Sequence, residues 1–240
     1  MALPKLAALK FKTKLPSNDL EVEYRPFLVK EEKALLVAME AEDTSQMILS
    51  LREIVNNCVD GDQFDVGKAP FFDSEYLFLQ MRAKSVGEVS TLEYGHTDGV
   101  NYDGVKCDHI TELKVNLEDI KAEKLEGHTD EVRISEQLYV KMKYPSLMEL
   151  SALDFADQES TDEFKLVANC IDYVFDDNET YEADTEQEKI SFVESMNTKQ
   201  MTELGKFFDT MPRIRHEIPY TCEGCGQEDV LKLEGLSDFF

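Results

Sequence analysis

Apolar and polar positions alternate with a period of two at the start of the chain. Leu9, Phe11 and Thr13 are interleaved with Lys10, Lys12 and Lys14. After the turn-forming stretch Pro16–Asp19, Leu20, Val22 and Tyr24 are interleaved with Glu21, Glu23 and Arg25. A half-buried strand needs this period, so residues 5–15 and 20–29 predict a β-hairpin with lysine on one strand facing glutamate on the other. The period then changes to three and four. Lys30–Glu40 predicts a helix with Leu35, Leu36 and Met39 inward. Asp43 with Gln46 has the spacing of a capping box for a second helix to about Cys58, whose stripe is Met47, Ile48, Leu51, Ile54, Val55 and Cys58. Residues 74–85 (SEYLFLQMRAKS), capped by Asp73 or Ser74 and closed by Gly87, are nearly apolar on all sides. A helix of that kind belongs in a core or under a partner.

The middle of the chain returns to strand-like runs at 89–94, 113–120 and 132–140, with a loop at 95–104, and predicts a small antiparallel, hairpin-built region. From Pro145 onward the helical period prevails. Leu147, Leu150 and Leu153 begin it. Ser160 with Glu163 predicts a helix through Phe175 carrying Phe164, Val167, Ile171 and Val174 on one face. Thr185 with Glu188, and Asn197 with Gln200, open two more, the last ended by Pro212. Two short strands, Ile218–Tyr220 and Val230–Leu233, enclose a Cys-Glu-Gly-Cys-Gly turn. The expected class is α+β: an N-terminal hairpin with helices (1–88), a small antiparallel β region (89–145), and an acidic helical C-terminal half ending in a Cys-x-x-Cys hairpin (146–240), with one continuous domain as the alternative.

Charge narrows the functions. The net charge is −25, which argues against binding nucleic acid through its phosphates. Residues 1–36 hold seven Lys or Arg against five Asp or Glu, while 154–195 hold fourteen Asp or Glu and two Lys. Lys10, Lys12 and Lys14 thus mark an arm that either docks on an acidic partner or is a solvated strand pair. The acidic helices are a solvated face or a docking face for a basic partner. No run approaches the length of a membrane span, and residues 1–16 are too polar for a signal-peptide core, so cytoplasm is the expected compartment.

The five cysteines, Cys58, Cys107, Cys170, Cys222 and Cys225, are odd in number and mostly scattered, which fits a reducing compartment. Cys58 lies on an apolar stripe and reads as a packed thiol. Cys222 and Cys225 have the spacing of half a zinc ribbon, but a structural zinc takes four ligands. The remaining donors would come from His216, His96, Cys107, His109 or a neighbouring chain. His96, Cys107 and His109 form a trio of their own, although their spacing matches no zinc module. The segment after Cys107 also echoes the one after Cys225, in the manner of a duplicated knuckle whose ligands survive in part. Three readings stay open for the pair: a vestigial knuckle, one structural zinc, or a redox dithiol. The last is disfavoured because such pairs open a helix. The expected cofactor is accordingly none, or one structural zinc.

No nucleotide-binding loop and no nucleophile elbow occurs, and no catalytic residue is singled out. A metal-dependent hydrolase built on His96, Cys107 and His109 is the one enzymatic alternative. The other signals point to protein binding: the all-round apolar helix with Tyr76 and Phe78, the lysine arm, and the terminal Phe239 and Phe240, which are expected to be buried in this chain or in a partner.

Several segments together resemble one family: residues 3–6 (LPKL), 24–33 (YRPFLVKEEK), 75–87 (EYLFLQMRAKSVG) and 142–145 (MKYP). The ending adds Phe207–Phe208, Met211–Pro212, Tyr220-x-Cys-x-x-Cys-Gly226, Leu233-x-Gly235-Leu236 and Asp238-Phe-Phe240. Collinear over nearly the whole chain, they are similar to the baseplate hub proteins of T-even-like contractile-tailed bacteriophages. The resemblance implies a non-enzymatic role as a hub subunit or hub-assembly factor. It would bind other hub proteins and the tape-measure protein, with homo-oligomerisation left open, and would act in the host cytoplasm during assembly and in the tail baseplate of the virion. A tail-assembly chaperone absent from the mature virion is the alternative.

Overall fold

The computed structural model describes residues 8–40, 44–60, 64–96, 99–101, 103–151 and 161–239. Strands β1 (Phe11–Lys14) and β2 (Glu21–Tyr24) pair antiparallel, with Lys12 opposite Glu23 and Lys14 opposite Glu21. Lys12 makes its ion pair diagonally, to Glu21 at 2.7 Å, and Lys10 binds both Glu23 and Asp60. The inner face of the hairpin, Leu15, Val22 and Tyr24, is covered by α1 (Val29–Glu40) and α2 (Thr44–Cys58), and Ile54, Val55 and Cys58 are almost fully buried there.

The central element is α3 (Phe71–Ser85). It begins three residues earlier than the sequence pattern suggests, because Pro70 presets the entry. Asp73 is not a cap: its carboxylate accepts from the Ser17 N–H at 3.0 Å and the Ser17 hydroxyl at 2.5 Å, tying the β1–β2 turn to the helix. Being apolar on all sides, α3 serves two cores at once. Leu77, Phe78 and Met81 enter the first core, where Phe78 stacks on Phe27, and Leu79 and Ala83 enter a second.

The second core is made of hairpins. Strands β3 (Val89–Gly95) and β4 (Ile110–Asn116) form one; β10 (Arg213–Thr221) and β11 (Glu228–Glu234) form the other, extended by β5 (Lys121–Glu123) on the free side of β10. Leu92, Leu113, Val115, Ile214 and Leu233 meet between them. The chain end is part of this core. Phe239 is fully buried, the Gly235 N–H donates to Ile214, and Glu75 of α3 accepts from the Leu236 N–H. Phe240 lies outside the described residues.

The third core corrects the expected class. The C-terminal half is not a helical region closed by a hairpin. The chain is mixed α/β throughout, with seven helices among the described residues and several small sheets. The helix expected through Phe175 stops as α5 (Thr161–Asn169), and Ile171–Phe175 is strand β8. This run alternates Ile, Tyr and Phe with Asp and Val, and is rich in residues that fit a pleated surface. It is drawn into a sheet by partners distant in sequence. Its neighbours are β7 (Tyr139–Met142), itself paired with β6 (Glu131–Arg133), and β9 (Thr180–Tyr181). Helices α6 (Glu186–Glu194) and α7 (Thr198–Thr210) pack on that sheet through Val193, Leu204 and Phe207. The Asn197–Gln200 capping box is present in full. The short α4 (Leu147–Ser151) joins the first and third cores. The terminal hairpin is likewise not a free appendage, since β10 sits between β11 and β5.

Candidate metal centre

The tips of the two hairpins of the second core meet. In the first, His96 follows directly on β3, and Cys107 lies three residues before β4. In the second, Cys222 follows directly on β10, and Cys225 lies three residues before β11. Tyr94 and Tyr220, each two residues before the first of these side chains, pack edge to face with ring centroids 5.5 Å apart and set the spacing between the tips. Beyond them the ligand atoms of His96, Cys107, Cys222 and Cys225 all lie within 4.8 Å of one another. Cys107 Sγ is 3.7 Å from Cys222 Sγ, and His96 Nε2 is 3.3 Å from Cys225 Sγ.

Local sequence explains why the tips take this shape. After Cys222, the Gly226 N–H returns to the Cys222 carbonyl and the Cys222 N–H donates to Gln227, closing a tight loop; Gly226 has φ +74°, where a side chain would be strained. Inside that loop the N–H groups of Gly224 and Cys225 point at Cys222 Sγ, and the Gln227 N–H points at Cys225 Sγ. In the facing tip the His109 N–H points at Cys107 Sγ. The Cys107 N–H donates to Gly99 at 2.7 Å, which folds the β3–β4 connection back on itself. Gly224 must lack a side chain: a Cβ there would sit 2.4 Å from His109 Cβ and 3.1 Å from Cys107 Sγ.

These amides and the imidazole set the thiol acidities. Cys222 is brought down to about 6, foremost by the Cys225 N–H and further by the Gly224 N–H and His96, against the opposing effect of burial. Cys225 is lowered, chiefly by the Gln227 N–H, with help from the Asn101 side chain and His96. For Cys107 the His109 N–H acts to lower, but burial and the neighbouring thiols together outweigh it and leave the group raised. His96 is raised by its bonds to Cys225 and Cys222. The two cysteines elsewhere shift the opposite way from Cys222 and Cys225: burial pushes Cys58 up to about 11 and Cys170 up to about 12.

Of the six candidate ligands in the sequence, the structure gathers His96, Cys107, Cys222 and Cys225. The His109 side chain points instead toward Glu223, with Nε2 3.7 Å from its carboxylate. His216 lies on β10, paired with Leu233 of β11, six residues up the strand from Cys222 and so roughly 20 Å away. Asn101 escaped the sequence reading. Its Oδ1 accepts from the Asp103 and Val105 N–H groups, holding the loop, while its amide reaches Cys225. Its place in a turn-rich stretch before Gly104 was the available signal. Of the side chains expected to meet partners, Phe78 and Phe239 are buried in this chain's own cores, and Tyr76 is partly buried with its hydroxyl 3.0 Å from Thr13. Lys10 and Lys12 are ion-paired within the hairpin, and Lys14 is exposed.

Two facing β-hairpins that offer cysteine and histidine at their tips define a ribbon-like structural module within a larger α/β protein. No helix among the described residues is long and apolar enough to cross a membrane. The chain matches the family model described as T4 bacteriophage base plate protein over residues 7–240, and it belongs to that family. It is therefore a phage baseplate protein, with its place in the virion tail and its interactions with other baseplate proteins. Neither a curated protein nor a solved structure matches the chain.

Proposed function

We propose that this baseplate protein works at the central hub, as a subunit or assembly factor that binds other hub proteins and the tape-measure protein. The family match over residues 7–240 supports the baseplate role, and the collinear segments that resemble hub proteins, ending in Tyr220-x-Cys-x-x-Cys-Gly226 and Asp238-Phe-Phe240, support its extension to the hub. The chemistry of the chain agrees with it. A baseplate part works through surfaces, and a net charge of −25 keeps such a part soluble in the host cytoplasm until its partners arrive. The same charge favours a second role, a chaperone that accompanies the tape-measure protein and leaves before the virion matures. The four-ligand tip does not support hydrolysis. A catalytic metal keeps a position open for water, whereas four protein donors close a tetrahedron.

Quantitative mass spectrometry of purified mature tails beside assembly intermediates tests the proposal. Stoichiometric presence in both is the result for a hub subunit. Presence in intermediates alone establishes the chaperone role, and absence from both overturns the hub reading.

A further inference from the structure

We propose that His96, Cys107, Cys222 and Cys225 together bind one zinc ion, which locks the β3–β4 hairpin to the β10–β11 hairpin. The geometry is the first argument. Zinc–sulfur bonds of about 2.3 Å and a zinc–nitrogen bond of about 2.05 Å, arranged tetrahedrally, place sulfurs about 3.8 Å apart and sulfur about 3.6 Å from nitrogen. The chain holds Cys107 and Cys222 at 3.7 Å, and Cys225 and His96 Nε2 at 3.3 Å. A sulfur separation of 3.7 Å is far beyond a disulfide bond, which is about 2.05 Å.

The second argument is the surrounding shell. Three thiolates leave a zinc site with net negative charge, and each sulfur here has at least one backbone N–H aimed at it: Gly224 and Cys225 to Cys222, Gln227 to Cys225, His109 to Cys107. The Asn101 amide adds a donor to Cys225. Such outer donors orient the ligands and offset their charge. The third argument is spacing. Cys222 and Cys225 grip from one knuckle, and His96 and Cys107 from the other, with ten residues between them because the intervening loop folds back through the Cys107–Gly99 hydrogen bond. On binding, the thiols that still carry protons release them, Zn²⁺ takes three sulfur lone pairs and one from neutral His96 Nε2, and no redox change occurs. Three sulfurs and one nitrogen in a closed tetrahedron select zinc over the harder, oxygen-seeking cations. The inference stands apart from the hub reading, since it rests on these four side chains and the amides aimed at them.

Elemental analysis of the full chain, purified without chelator under reducing conditions, is the direct test. One zinc per chain is expected, with Co²⁺ substitution giving the intense visible bands of a tetrahedral thiolate site. Cys107→Ser and His96→Ala should each lower zinc affinity at least tenfold, whereas His109→Ala and His216→Ala should retain one zinc. Less than a tenth of an equivalent, with no uptake of added Zn²⁺ or Co²⁺ by the reduced wild-type chain, overturns the proposal. So does an equivalent of iron in place of zinc, or full retention of zinc in Cys107→Ser. The wild-type metal content decides the matter even where a variant fails to fold.

Discussion

The first core and the hairpin pair hold their strands together by different means. Around Phe78, β1, β2, α1, α2 and α3 bury aliphatic and aromatic side chains from all sides, and Cys58 is simply one more small apolar group. At the hairpin tips the apolar packing ends at Tyr94 and Tyr220, and what gathers beyond them is a cluster of one histidine and three cysteines. The same residue type takes opposite character in the two places. Without amide donors, burial drives the Cys58 thiol up to about 11; with two N–H groups pointing at it, the buried Cys222 falls to about 6. A buried cysteine gains thiolate character through the donors its turn supplies more than through its exposure.

The sharpest way to break this contrast is to remove the zinc proposed at the hairpin tips. Structural zinc in small peptides contributes an apparent binding free energy of about 10–16 kcal/mol, so chelation should produce the largest loss of stability. Hydrogen exchange should show that loss beginning at the amides of 99–107 and 222–227, with those of α2 and α3 affected last. Uniform exchange across the chain would mean that the two regions are not held independently. Phe78→Ala probes the opposite side. The ring is 1% exposed and stacked on Phe27, and its truncation should cost about 3–5 kcal/mol in urea unfolding, with or without chelator.

Glu75 lies where α3 meets the C-terminal turn and gives a pH signature. Burial holds its carboxyl at about 7, against the Leu236 N–H and the nearby Arg213, which favour the charged form. The folded chain therefore binds this proton more tightly than the unfolded chain, whose carboxyl titrates near 4.5. The favourable contribution is present below pH 4.5 and is lost as pH rises to about 7, to an extent on the order of 3 kcal/mol. Glu75→Gln should flatten this slope in denaturant midpoints between pH 4.5 and 8, and parallel curves for the two proteins would refute it. The smallest effect belongs to Gly224→Ala. Its methyl meets His109 and Cys107, and should cost about 1–3 kcal/mol, mainly by separating the two tips. Thermal melts of the zinc-loaded and chelated forms should show the penalty only in the loaded one.

Much of the local structure was legible in the residues. The lysine–glutamate alternation forecast β1 and β2, and Asn197 with Gln200 forecast the start of α7, because strand period and capping depend on neighbours within a few positions. The apolar circumference of α3 forecast burial on every side. The run at Ile171 misled, since a period of three and four continues from α5 into β8 while the deciding contacts come from β7, some thirty residues earlier. The tip cysteines and histidines were legible as candidates, but six were named where four converge.

The sequence by itself determined the inventory: two cysteines with two residues between them and the glycines that let amides turn toward sulfur, an all-round apolar helix, and the segments that mark a baseplate protein. Only the tertiary structure decided the grouping. His96 and Cys107 reach Cys222 and Cys225 because Leu92, Leu113, Leu231 and Leu233 pack two hairpins against one another beside α3, and Tyr94 against Tyr220 fixes how far apart their tips stand. That registration comes from side-chain packing between segments more than one hundred residues apart, and no local pattern encodes it.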